Sequence, residues 1–279
     1  MPSTLSNTAG IGILRVARLG TDSLDRLAHG ATRPGRIHSV FDRAVNVLWS
    51  DGRLLTLHGP GLLAAPFAVG LERLPARGTA APGMTIGRSD FDWVDAERVA
   101  LEMPAGAPGF RVSALPEAGR AHSLDAGTGL HALDALERGI AARDAGAFAD
   151  AACSLIGLGE GLTPAGDDTI VGALAAIHRL APAWLAAQAG QRDRLADAAR
   201  RGTTDVARDF ILEALDGRFA EPVLVLLTAS SDHDAGIAAR RLLAMGATSG
   251  ADTLCGIRLG CRALEAKAAS PPPTPRRKT

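Results

Sequence analysis

Twice in its second half the chain repeats one short pattern, and the pattern constrains what both stretches can become. The first copy is Gly161-Leu162-Thr163-Pro164-Ala165-Gly166-Asp167-Asp168-Thr169-Ile170-Val171-Gly172, and the second is Gly246-Ala247-Thr248-Ser249-Gly250-Ala251-Asp252-Thr253-Leu254-Cys255-Gly256. With one residue removed, Thr163 aligns with Thr248, Gly166 with Gly250, Asp168 with Asp252, Thr169 with Thr253 and Gly172 with Gly256. Each copy is a glycine-rich turn running into an apolar stretch, which reads as a loop and the helix it starts. If the two loops share one site, the helix starts at Asp167 and Gly250 lie within about 10–12 Å, one helix diameter, and flank a single pocket in or at the edge of the helical half.

Such a turn can bind or merely pack. Unused backbone N–H groups at a helix start favour an anion, and glycine lets a ligand approach the backbone. Gly159, Gly161, Thr163, Gly166 and Thr169 of the first copy and Thr248, Ser249, Gly250 and Asp252 of the second are the candidate binding residues. Asp167 and Asp168 are the candidate catalytic pair, because a carboxylate can cap a helix, take a proton or hold Mg²⁺. Asp168 has a counterpart in Asp252 and suits a shared capping role. Asp167, opposite Ala251, suits chemistry particular to the first loop. The packing alternative stays open, since Thr and Asp are ordinary caps and Gly172, Gly256 and Gly260 suit helices that touch. The first loop is not a phosphate-binding P-loop, because no Gly-Lys-Ser/Thr follows, and the helical segment before it speaks against a dinucleotide fingerprint.

Around the copies the texture of the chain changes. From Gly35 to Arg111 short apolar runs are cut by Gly and Pro. Ile37–Phe41, Ala44–Trp49, Leu54–His58, Phe67–Leu71, Met84–Ile86 and Arg98–Glu102 read as strands, with Asp51-Gly52 as a hairpin turn. Leu14 to Ala28 reads as one amphipathic helix. After Pro116, helices are expected around Leu130–Ile140, Phe148–Ile156, Asp167–Leu180, from Pro182, over Thr204–Leu215, from Ser231 to Met245, and over Gly250–Ala268. The fold class is therefore α+β: a small barrel- or sandwich-like β-rich region over residues 1–116, a larger helical region over 117–269, and a disordered Pro-rich tail over 270–279.

Lys plus Arg and Asp plus Glu each number 30, so the net charge is zero, which argues against a nucleic-acid binder working through a general positive field. Tyr is absent and Trp49, Trp93 and Trp184 are scattered, which leaves no aromatic surface for stacking bases. No apolar run is long enough for a membrane span and no signal peptide is evident. The three cysteines, Cys153, Cys255 and Cys261, have no paired spacing. Together these point to the cytoplasm. His38 and His58 read as structural, the histidines lack metal-ligand spacing, and Arg258 and Arg262 read as a solvated helix face.

The run Gly157-Leu158-Gly159-Glu160-Gly161-Leu162-Thr163-Pro164-Ala165-Gly166-Asp167-Asp168 resembles the signature of the AllH-type family. His38-Ser39-Val40-Phe41 with Val45-Asn46 resembles its N-terminal strand block, and Gly246 to Gly256 its second loop. The resemblance implies Ser at 165 and Pro at 160, where this chain has Ala165 and Glu160. It also implies a subunit of a carbamoyltransferase complex in allantoin (ureide) breakdown, acting with other subunits on oxamate or a related amide through carbamoyl phosphate. The partners expected are those subunits and a small anionic substrate, with no nucleic acid and no membrane. Beyond Mg²⁺ at an aspartate no cofactor is expected. A non-catalytic assembly subunit and a stand-alone hydrolase using paired carboxylates and a metal are the alternatives.

Overall fold

A computed structural model describes residues 11–29, 34–76, 78–104, 115, 124 and 127–268. The expected disordered tail lies outside the described residues. The chain divides into two compact units, one formed by residues 1–103 with 208–225, the other by 104–207 with 226–279.

The first unit is built on a sheet of eight strands: β1 (Leu14–Gly20), β2 (Gly35–Val40), β3 (Ala44–Leu48), β4 (Leu54–His58), β5 (Ala68–Leu71), β6 (Thr85–Ile86), β7 (Phe91–Asp92) and β8 (Glu97–Val99). The spatial order is β6-β2-β3-β4-β5-β1-β7, with β8 also paired to β1, and the sheet curls as half a barrel. β2, β3 and β4 form an antiparallel meander, β4 and β5 run parallel, and β1 is antiparallel to β5 but parallel to β7 and β8. Leu14, Val16, Ile37, Val47, Leu57 and Val69 are buried together in its core.

One expectation fails here. Residues 14–28 are not a single helix: β1 takes Leu14–Gly20, and α1 starts only at Thr21 and runs to His29. Leu14, Val16 and Leu19 are buried whereas Arg15 and Ala17 are exposed, an alternation of period two over the first four residues. A Cβ on Gly20 would meet Leu101 Cδ1 at 2.6 Å, so close packing at the strand end requires a glycine there.

The segment 208–225 belongs to this unit for an electrostatic reason. Asp209 and Glu213, both fully buried, lie one turn apart on α7 (Asp205–Leu215). Asp209 accepts from the Leu54 backbone at 2.6 Å and from Arg208 at 2.9 Å, while Glu213 pairs with Arg53 and Arg218. Glu221 receives Arg18 at 2.6 Å and the backbone N–H of Ala64 at 3.2 Å. Phe210 packs edge-on against Phe67 with centroids 4.5 Å apart.

The second unit is helical: α2 (Thr128–Ala142), α3 (Ala145–Leu155), α4 (Ala165–Leu180), α5 (Pro182–Ala186), α6 (Ala189–Gly202), α9 (Asp232–Leu243) and α10 (Ser249–Ala268), with the short α8 (Glu221–Leu227) preceding its last part. Every residue of α4 from Ala165 to Ile177 is buried, Asp167, Asp168 and Thr169 among them, which makes it the central helix of the unit. Its main partner is α10. A Cβ on Gly172 would lie 2.0 Å from the carbonyl oxygen of Thr253, and one on Gly256 2.0 Å from that of Thr169. The two backbones therefore touch through the repeat's own glycines.

Candidate functional site

The repeat in the sequence is a repeat in space. Each copy is a helix, a loop and a second helix: α3, the first loop and α4, then α9, the second loop and α10. Gly166 sits where a Cβ would be 2.0 Å from the carbonyl oxygen of Leu155, the last residue of α3. Gly250 sits where a Cβ would be 1.9 Å from that of Leu242, near the end of α9. Both glycines thus allow the incoming helix to press on the outgoing one.

The two loops meet. Thr163 Oγ1 and Ser249 Oγ are 2.7 Å apart, one hydroxyl donating to the other. Thr169 Oγ1 donates to Ala165 O at 2.8 Å and reaches Asp252 O at 3.5 Å. The expected convergence of the two helix starts is therefore present. Among the described residues a surface groove lies elsewhere, on α2 and α3, lined by Thr128, His131, Arg138, Asp144, Asp150 and Ser154.

The expected anion cradle is largely used up internally. The N–H of Gly166 donates to Leu158 O at 2.8 Å, and that of Gly250 to Met245 O at 3.1 Å. Gly159 and Gly161 lie at the exposed tip of the first loop with φ of 115° and 92°. Thr248 is exposed, and its carbonyl accepts the N–H groups of Ala251 and Asp252 at 2.8 and 3.0 Å.

The two adjacent aspartates have different surroundings. Asp167 Oδ1 accepts the N–H of Gly157 at 3.0 Å, and Asp167 Oδ2 accepts the Thr203 hydroxyl at 2.5 Å. Gly157 has φ 73°, and a Cβ there would lie 2.3 Å from Gly202 O, so this junction takes only glycine. Both oxygens of Asp167 are thus spent on tying the first loop to residues 202–203. Burial pushes the Asp167 carboxyl above its ordinary range, opposed by these two hydrogen bonds.

Asp168 is 7% exposed, and its Oδ2 is buried with no hydrogen-bond partner. Burial raises its carboxyl well above the usual range; the hydroxyls of Ser249 and Thr163 oppose that, and the charges of Asp252 and Asp167 add to it. Asp252, 3% exposed, sits at the same place in the second copy. The arrangement is a buried carboxylic acid beside a second carboxyl, flanked by two hydroxyls. It can donate or accept a proton, and it can hydrogen-bond an oxygen or nitrogen of a ligand.

The repeat points to these residues but not to Thr203, whose hydroxyl belongs to no motif and acts from 36 positions away. No group of three or more His, Cys, Asp or Glu among the described residues is placed to hold a metal ion. No described helix is long and apolar enough to cross a membrane.

Comparison with known families adds two matches. A model described as oxamate carbamoyltransferase subunit AllH matches residues 155–261, a span that begins at the end of α3 and takes in both loops. A second, described as the AllH family N-terminal domain, matches residues 15–102, the strand-rich part of the first unit. Together they cover most of the chain. No solved structure matches it significantly.

Proposed function

Because the chain belongs to the AllH family, we propose that it works as one subunit of a carbamoyltransferase that moves a carbamoyl group between phosphate and the amide nitrogen of oxamate or a related amide. The observation that carries the site assignment is Asp168: a buried carboxyl with an unpaired oxygen, inside the matched segment, where the two loops meet. A group in that state is costly to keep for packing alone.

The chemistry needs a proton donor or acceptor at the amide nitrogen and neutral donors for the carboxylate beside it. Asp168 supplies the first. The hydroxyls of Thr163 and Ser249 supply the second once a ligand oxygen replaces their mutual hydrogen bond. Asp167 holds the first loop in shape through Gly157 and Thr203 and takes no part in proton transfer. The partners are the remaining subunits of the complex, and the setting is cytoplasmic nitrogen catabolism of ureides.

The assembly-subunit reading is favoured by one observation: the Thr163 and Ser249 hydroxyls bond to each other, and the N–H groups of Gly166 and Gly250 bond within their own loops. The experiment that separates the two is co-purification with the products of neighbouring genes. The purified complex is then assayed for carbamoyl phosphate formed from phosphate and carbamoylated oxamate. With Asp168→Asn in this chain, an intact complex with turnover lowered on the order of 10²-fold or more supports the catalytic reading. An intact complex with unchanged turnover leaves the assembly reading.

A further inference from the structure

Residues 168 and 252 are the equivalent positions of the two copies, and the helix crossing makes them neighbours. α4 and α10 approach through Gly172 and Gly256, each against the backbone of the residue that follows the aspartate in the other copy, Thr253 and Thr169. The pattern is reciprocal, an approximate two-fold relation between the copies, and equivalent residues beside a two-fold axis face one another. Thr163 and Ser249, one from each loop, touch at 2.7 Å, and the Thr169 hydroxyl reaches Asp252 O. Both carboxyls are buried at this junction. Resting on the reading of this site as the catalytic one, we infer that Asp168 and Asp252 act as one unit, a carboxyl pair that holds a single proton between the two loops, with Asp168 as the acid and Asp252 as its positioning residue.

Where two buried carboxyls feel each other's charge, ionising one raises the proton affinity of the other, so the pair favours keeping one proton. The charges acting on Asp168 are Asp252 from α10 and Asp167 from its own helix, both acidic; the facing hydroxyls of Ser249 and Thr163 are neutral. Burial is the largest influence, and it acts in the same direction as the two charges. Asp167, held by Gly157 and Thr203, stays out of the exchange.

The pair balances the reaction in both directions. When carbamoyl phosphate is made, a phosphate oxygen bonds to the carbamoyl carbon and the bond from that carbon to the amide nitrogen breaks. The electron pair stays on nitrogen, and Asp168 gives it the proton. The proton that phosphate loses on forming the new bond restores the pair. In reverse, the pair gives its proton to the departing phosphate oxygen and takes the amide proton as nitrogen attacks carbon. Asp252 contributes by making Asp168 hold its proton at working pH.

The test is infrared spectroscopy of the full chain across a pH series, following the carbonyl band of a protonated carboxylic acid. Wild type is expected to show the band at neutral pH, and Asp168→Asn to lose it. Asp252→Asn removes the facing charge, so the midpoint at which the Asp168 band disappears should fall by about one pH unit or more. If asparagine at 252 does not fold, Asp252→Ser is measured instead, and Asp252→Glu, which keeps the charge, should restore a high midpoint. A midpoint indifferent to residue 252 overturns the pair, whatever the assay of the complex shows. If the midpoint moves as expected while Asp168→Asn leaves turnover of the complex unchanged, the pair stands and the catalytic reading fails.

Discussion

Gly172 and Gly256 each lie against the other's helix, so that a Cβ on either would be 2.0 Å from a carbonyl oxygen one turn into its partner. Ordinarily glycine inside a helix costs about 1 kcal/mol relative to alanine. Here the clash outweighs that propensity. Gly172→Ala and Gly256→Ala are each expected to destabilise the protein by about 1–3 kcal/mol, read as a lower melting temperature. Gly190, in α6 with nothing within 4 Å of its would-be Cβ, is the control, and Gly190→Ala should be neutral or stabilising by up to ~1 kcal/mol. Because the two glycines serve one contact, the double variant should depart from additivity.

What was legible in the sequence follows from what a short pattern can encode. The twin loops were readable because glycine, threonine and aspartate recur at fixed offsets, and their meeting at Thr163 and Ser249 follows from helix packing. Residues 14–28 mislead because Val16, Leu19, Leu24 and Leu27 fall on one face of a helix; pairing with β5, β7 and β8 decides for a strand over the first seven. Asp209 and Glu213 carry no sequence signal, because the arginine that neutralises both, Arg53, comes from distant sequence. The roles of the adjacent aspartates were also out of reach. Asp167 has no counterpart in the second copy, which points to special chemistry, and its hydrogen bonds to Gly157 and Thr203 come from residues that no pattern links to it.

Those buried acids make a prediction of their own. Glu213 is fully buried between Arg53 and Arg218. Glu213→Gln removes its charge and leaves two half-buried guanidinium groups poorly compensated. Breaking a buried pair in this way costs about 3–5 kcal/mol, and the loss is checked by urea unfolding at neutral pH. A change below ~1 kcal/mol would mean that Asp209 and Asp216 absorb the arginines unaided.

The cysteines are expected to be inert. None of Cys153, Cys255 and Cys261 is in a disulfide, and burial raises the thiols of Cys153 and Cys261, the latter to about 12. A thiol reagent at neutral pH should therefore label Cys261 only as fast as the protein opens. Replacing all three by Ala should leave the assembled complex active. Rapid stoichiometric labelling of Cys261 in the native state would contradict the burial of its side chain.

The adjacent aspartates separate stability from proton chemistry. Asp167→Ala removes the acceptor for Gly157 N–H and the Thr203 hydroxyl, leaving a loop donor without a partner, and should cost about 1–3 kcal/mol. Activity per folded molecule should survive. Asp168 should behave in the opposite way. Its folded-state carboxyl holds a proton more tightly than in the unfolded chain, so the folded state binds more protons than the unfolded one above the ordinary aspartate range near pH 4. Stability should therefore decline as pH rises from about 4 toward the raised folded-state value. Asn mimics the neutral acid and does not titrate, so Asp168→Asn should flatten that decline and raise the melting temperature at neutral pH while lowering turnover of the complex. Melting curves of both variants over a pH series check this. An Asp168→Asn protein that melts earlier than wild type at neutral pH would show that the ionised carboxylate stabilises the fold, and the neutral-acid reading of Asp168 would fall.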